Sequence, residues 1–303
     1  MPTISFPLLG NYEFNFDTYF SVFGWKVHYY GVIIALGFLL AVIYALKRSR
    51  EFGIDPDSIT DMLLFGLPLG IIGARIYYIA FSGTKWTFLQ ALQIWNGGLA
   101  VYGGIIGAAL GILLFGFFKR RRNYEFRLAP FLDVAALGFL IGQSIGRWGN
   151  FVNREAFGTA TDLPWKMGLT SNGVTLYFHP TFLYESLWNA LGFVLLHIYS
   201  KRAKNRYSGQ IAVLYIWWYG LGRVFIEGLR SDSLYLFGSD LRVSQLLAAL
   251  CVVAGVGLNI LLSLRAGKRS RKLAEIPAVP DESELDAEFT AEQQDSGKDE
   301  SGS

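Results

Sequence analysis

Three stretches of this chain hold no Asp, Glu, Lys or Arg: Tyr29 to Leu46, Gly97 to Phe118 and Ser244 to Leu264. A helix needs about 20 largely apolar residues to cross a bilayer, and each stretch is near that length. Further apolar runs at about 60–80, 128–146, 180–200 and 209–229 carry a few charged residues each. The pattern predicts seven transmembrane helices, at 29–46, 60–80, 97–118, 128–146, 180–200, 209–229 and 244–264. The fold class expected is all-α, a polytopic integral membrane protein.

Composition agrees. Hydrophobic residues make up 52% and charged residues 17%, against about a quarter charged in soluble domains. The connections sort the basic residues. Lys47, Arg48 and Arg50 follow the first span. Lys119, Arg120, Arg121, Arg122 and Arg127 follow the third. Lys201, Arg202, Lys204 and Arg206 follow the fifth, and Arg265, Lys268, Arg269, Arg271 and Lys272 the last. These connections share one side, so the positive-inside rule predicts a cytoplasmic C-terminus and an external N-terminus. No signal peptide is expected, because Glu13 and Asp17 interrupt the N-terminal segment. Nor is there an internal repeat of the kind transporters often carry.

Beyond Lys272 the composition changes. Residues 273–303 hold ten acids against Lys298 alone, which cannot build a core and predicts a disordered acidic cytoplasmic tail. Residues 1–272 form the membrane domain, which is strongly basic. That suits anionic lipid headgroups; nucleic acid is not expected, since the charge sits at span ends. Cys251 lies mid-span and reads as a buried structural thiol.

Orientation gives the polar residues inside the spans a common depth. Arg75, Arg147, Arg223 and Glu227 fall late in outward-running spans, and Tyr30, Tyr102 and Glu185 early in inward-running ones. All lie in the outer half; Asp133 lies on the inner side. Polar groups are costly at such positions and mark functional sites by default. One outward-opening polar site accounts for them.

Individual residues keep two readings each. Arg223 and Glu227 share a helix face at i, i+4, with Arg230 three further on. The pair is structural glue, or Glu227 orients Arg223 towards an anion, whose oxygens a guanidinium matches in a planar fork. Arg147 is a second phosphate ligand or a snorkelling helix end. Arg75 divides the same way. Gly97-Gly98 and Gly103-Gly104 flank Tyr102 and serve helix packing or exposure of backbone to a ligand. His179 opens the fifth span beside Pro180, and His28 and His197 read as interfacial and structural.

The densest polar stretch runs from Gly146 to Gly158: Arg147, Asn150, Asn153, Arg154 and Glu155 among three glycines, where an apolar run meets a loop. This run resembles the signature of the bacterial prolipoprotein diacylglyceryl transferase family. Tyr29-Tyr30-Gly31, Gly73-Ala74-Arg75, Trp95-Asn96-Gly97-Gly98, His179-Pro180 to Tyr184-Glu185 and Arg223 to Glu227 are similar to it in the same order. The resemblance covers residues 20–265.

It implies an enzyme of the bacterial cytoplasmic membrane, with its site towards the outer leaflet. The reaction moves the diacylglyceryl group of phosphatidylglycerol to the lipobox cysteine of a prolipoprotein signal peptide, and glycerol phosphate leaves. Tyr30, Arg147, Asn150, Glu155, Gly158, Arg223 and Glu227 match family positions tied to activity or substrate binding. Arg147, Arg223, Glu227, Asn150, Glu155 and Tyr102 are therefore the expected catalytic set. Arg147, Arg223, Tyr30, Asn150, Asn153, Gly158 and Arg75 are the expected phosphatidylglycerol ligands. Some members carry histidine where this chain has Tyr102, whose unperturbed pKa near 10 makes a poor base; positioning is the expected role. No metal or cofactor is expected. The alternative is a transporter or channel for an anionic solute, built on the same arginines.

Overall fold

The computed structural model describes residues 3–10, 12–84, 86–94, 97–121, 127–203, 206–231 and 242–274. Trp95, Asn96, Arg122, Lys204 and the tail from Glu275 onward lie outside the described residues. The chain divides into two compact units, Met1–Asn259 and Ile260–Ser303; in the second, the end of one helix is described.

Each predicted span meets a helix. They are α1 (Tyr29–Arg48), α2 (Pro56–Phe81), the short α3 (Phe88–Leu92), α4 (Val101–Arg121), α5 (Leu128–Asn153), α6 (Thr181–Arg202), α7 (Gln210–Glu227) and α8 (Val243–Ala274). Five segments are long and apolar enough to cross a membrane: Tyr29–Phe52, Pro56–Phe81, Tyr102–Lys119, Leu128–Asn153 and Val243–Gly267. Neither α6 nor α7 is among them; they carry Glu185, Asn189 and His197, and Arg223 and Glu227.

The all-α expectation is corrected. Four short strands, β1 (Thr3–Phe6), β2 (Tyr12–Phe14), β5 (Met167–Ser171) and β6 (Val174–Phe178), form an antiparallel sheet in the order β2-β1-β5-β6. A separate hairpin pairs β3 (Tyr19–Val22) with β4 (Trp25–His28) just before α1. Helical periodicity could not reveal the larger sheet, because β1 pairs with β5 across most of the chain: Ile4 faces Leu169.

α5 is the centre of the first unit and packs against α1, α6 and α7. Its Leu137 and Leu140 are fully buried, as is Ile211 of α7. α2 and α4 meet along a glycine seam, where a Cβ at Gly73 or Gly107 would overlap the carbonyl oxygens of Gly103 and Leu69. Small residues let backbones approach where lipid removes the usual hydrophobic drive between helices. Gly103 thus serves packing: its own Cβ would overlap the Gly73 backbone.

Two polar devices fix α7. Asp133 of α5, 1% exposed, accepts from the amides of Gly209 (2.8 Å) and Ala212 (2.9 Å), with Arg206 at 3.5 Å. It satisfies orphan amides at the start of α7 and meets the positive end of the helix dipole. Midway along α7, Trp218 stacks on Trp188 of α6 at 4.3 Å, and each indole N–H donates to the other's carbonyl. The pairing of α6 with α7 brings Glu185 opposite Arg223.

Candidate active site

The signature stretch is shaped by how α5 ends. Arg154 caps it in the left-handed region (φ 57°), and Glu155 N–H donates to the Asn150 carbonyl at 3.1 Å. This reversal turns the Glu155 side chain back onto the last turns of the helix. Glu155 Oε1 accepts from Asn150 Nδ2 at 2.9 Å and from Asn153 Nδ2 at 3.4 Å. Asn150 Oδ1 in turn accepts from Arg147 Nη1 at 3.4 Å. Arg147, Asn150, Asn153 and Glu155 therefore form one chain of hydrogen bonds. Arg154 points elsewhere: its guanidinium donates to the Phe16 carbonyl at 2.7 Å and lies over the Phe16 ring at 4.9 Å. Burial lowers its pKa from the ordinary arginine value, opposed by Asp17.

Glu185 of α6 is the centre of a second group. Its carboxylate, 4% exposed, meets Arg147 Nη2 at 2.5 Å, Arg223 Nη1 at 3.2 Å and Arg230 Nη1 at 3.4 Å. Arg223 also pairs with Glu227, 2% exposed, on its own helix. Three arginines thus converge with two carboxylates. Arg242 donates to the Glu227 carbonyl oxygen. The sequence put Glu185 at the depth of this site and Arg230 beside Arg223 and Glu227, but neither was among the residues expected to act in catalysis or to bind lipid. One signal was available for Glu185: no basic residue lies within four positions of it on α6, so its partner had to come from another helix.

Gly158 ties these parts together. Its N–H donates to the His179 carbonyl at 2.9 Å, it bridges to Arg230, and Thr159 N–H donates to the Leu229 carbonyl at 2.7 Å. A Cβ at Gly158 would lie 2.6 Å from His179 Cβ and 2.8 Å from the Leu229 oxygen. The structure uses this glycine for close approach between the signature loop, the start of α6 and the end of α7.

Arg147 and Asn150 also face a cleft of about 740 Å³ bordered by α1, α2, α4 and α5. Its walls are apolar, with Ile34, Phe38, Leu67, Ala74, Leu99 and Phe139 among the lining residues, and Tyr30 joins Arg147 and Asn150 there. The Tyr30 ring packs on Gly149, where a Cβ would lie 2.7 Å from Cδ2. A long apolar space ending at a cation and an amide fits an amphiphile with an anionic head.

Two expected site residues, one from the lipid-binding set and one from the catalytic set, sit apart. Arg75 is 6% exposed and spends its donors on five backbone carbonyls. Nε meets Ala91 (2.9 Å), Nη1 meets Gly97 (2.7 Å) and Gly98 (2.9 Å), and Nη2 meets Gln90 (2.7 Å) and Gln93 (3.4 Å). The guanidinium also lies 5.0 Å from the Trp86 ring. Tyr102 belongs to α4, which helps border the cleft, but its own side chain does not line it. It is 66% exposed, with its ring 6.2 Å from Tyr77.

Residues 17–261 match the family model described as prolipoprotein diacylglyceryl transferase. Three similar proteins each bear the name phosphatidylglycerol–prolipoprotein diacylglyceryl transferase. The one from Streptococcus agalactiae is 42% identical over 240 residues, 76% of this chain and 90% of that protein. The one from Finegoldia magna is 42% identical over 246 residues, 80% of this chain and 93% of that protein. The one from Enterococcus faecalis is 43% identical over 247 residues, 78% and 87%. With the signature stretch and the arginine–carboxylate group brought together by the fold, the chain belongs to the prolipoprotein diacylglyceryl transferase family.

Proposed function

We propose that this chain transfers the diacylglyceryl group of phosphatidylglycerol to the lipobox cysteine thiol of a prolipoprotein, in the first step of lipoprotein maturation. The observation that carries the reading is Arg147, which lines the apolar cleft and meets Glu185 at 2.5 Å. Acyl chains occupy the cleft and the phosphodiester lies at Arg147 and Arg223.

The thiolate is the nucleophile. Its sulfur bonds to the glyceryl carbon as the carbon–oxygen bond to phosphate breaks, and glycerol phosphate leaves with the electron pair. The phosphate goes from one negative charge towards two, so guanidiniums held in advance stabilise the transition state more than the ground state. Glu185 and Glu227 hold those guanidiniums. Asn150, Asn153 and Glu155 orient the headgroup or the incoming peptide beside Arg147.

The arrangement in the membrane is part of the same reading. All seven long helices cross, with α6 and α7 carrying their polar residues inward, the N-terminus outside and the tail in the cytoplasm. The basic connections support this orientation, which gives the Glu185 group to the outer leaflet. Residues 1–272 then form the catalytic unit, and a chain ending after Lys272 retains turnover. A transporter of anions has less support: the described polar residues of the cleft lie with Arg147 rather than along its length.

The test is purified protein in phosphatidylglycerol vesicles with a lipobox peptide. Glycerol phosphate release together with a thioether-linked peptide is expected. Absence of both, with anion flux across the vesicle wall, would overturn the reading.

A further inference from the structure

The described chain contains two two-residue hairpin turns of the same geometry. In one, Asn172 (φ 51°) and Gly173 (φ 77°) join β5 to β6, with Ser171 facing Val174. In the other, Phe23 (φ 49°) and Gly24 (φ 83°) join β3 to β4, with Val22 facing Trp25. Positive φ at both central positions is the type I′ turn, for which Asn-Gly is the favoured pair. The first hairpin follows this rule. The second places a bulky aromatic where the left-handed conformation is a genuine outlier for such a residue.

The strained position is also fully bare. Phe23 is 100% exposed and Trp25 80% exposed, beside Val22 at 40%. A tip facing water gains nothing from this, since Asn would relieve the strain and solvate better. Local strain of this kind marks a constraint imposed from outside the turn.

We propose that the β3–β4 tip is a membrane anchor, with Phe23 and Trp25 seated in the interfacial layer of the leaflet at which α1 begins. Its position and chemistry both favour lipid as the occupant. The hairpin is continuous with a membrane-spanning helix: Tyr29 N–H donates to the Thr18 carbonyl at 3.0 Å, and the Phe20 and Tyr29 rings lie 5.1 Å apart. At about 3.3 Å per residue, the chain keeps Trp25 within about 13 Å and Phe23 within about 20 Å of the first turn of α1. Amphipathic aromatics belong at the headgroup level. Lys26 adds a cation for anionic headgroups; it is exposed, with Nζ 4.7 Å from the Tyr19 ring. Such an anchor fixes the depth of Tyr30, the second residue of α1, at the cleft. The proposal needs α1 to cross the bilayer and is independent of the chemistry at Glu185.

The experiment is collision accessibility of a nitroxide in vesicles of phosphatidylcholine and phosphatidylglycerol. F23C and N172C are each made on a C251S background, labelled and reconstituted as the full chain. At position 23 oxygen should relax the label far more than a water-soluble nickel chelate does, with nickel contact reduced at least five-fold relative to position 172. Nickel contact at position 23 equal to that at 172 would overturn the proposal. So would protection that appears only after a lipobox peptide is added, which would make the tip a peptide-docking surface. W25C on the same background carries the same readout if the Phe23 variant fails to accumulate.

Discussion

The carboxylate of Glu185 on α6 lies 2.5 Å from the guanidinium of Arg147 on α5. The two residues are 38 positions apart and come from different helices. Glu185 also reaches Arg223 and Arg230, so one buried carboxylate holds three arginines whose charges would otherwise repel. The group is complementary to phosphate and neutralised in part before any phosphate arrives.

Glu185→Gln keeps the shape of the side chain and removes the shared counter-charge. Breaking a buried ionic group from one side costs about 3–5 kcal/mol, so the thermal midpoint in detergent should fall. Added phosphatidylglycerol should raise the midpoint of the variant more than that of the parent, because its phosphate supplies the missing anion. An unchanged midpoint would mean that Glu185 does not organise the arginines.

Arg147→Lys and Arg223→Lys keep a positive charge and lose the planar fork. Losing one positioned donor at a developing charge costs about 10²–10³ in turnover, and each variant should fall in that range while still inserting normally. Turnover measured with phosphatidylglycerol and a lipobox peptide checks this. Near-parental rates would remove the phosphate clamp from the mechanism.

Arg75→Lys should behave differently. A lysine ammonium has three donors and cannot replace the contacts that Arg75 makes to the 90–98 segment. Lower thermal stability is expected, with the KM for phosphatidylglycerol of the folded fraction little changed. A large rise in KM with intact stability would instead return Arg75 to the lipid-binding set.

Tyr102→Phe should keep substantial activity. The side chain is two-thirds exposed and lies outside the cleft lining, and the loss of one hydrogen bond is worth about 0.5–1.5 kcal/mol. Single-turnover transfer followed across pH is the measurement. A drop of several orders of magnitude that is rescued at high pH would identify Tyr102 as the base.

The sequence by itself determined the helices, because apolar runs with charged boundaries are local patterns that bilayer thickness forces on a chain. It also identified the candidate cations: arginine inside an apolar run is visible without knowing what it touches. The stretch from Gly146 to Gly158 identified the family for the same reason, being contiguous. Partners across helices were decided only in three dimensions. Arg75 and Arg147 look alike in the sequence, yet one is consumed by backbone carbonyls and the other meets Glu185 and the cleft. The crowding of His179 and Leu229 around Gly158 was likewise invisible in the sequence. The sheet joining β1 to β5 and the Glu185 group share one physical origin. Both are made of contacts between residues distant in the chain, and no periodicity within a window of residues encodes which of them will meet.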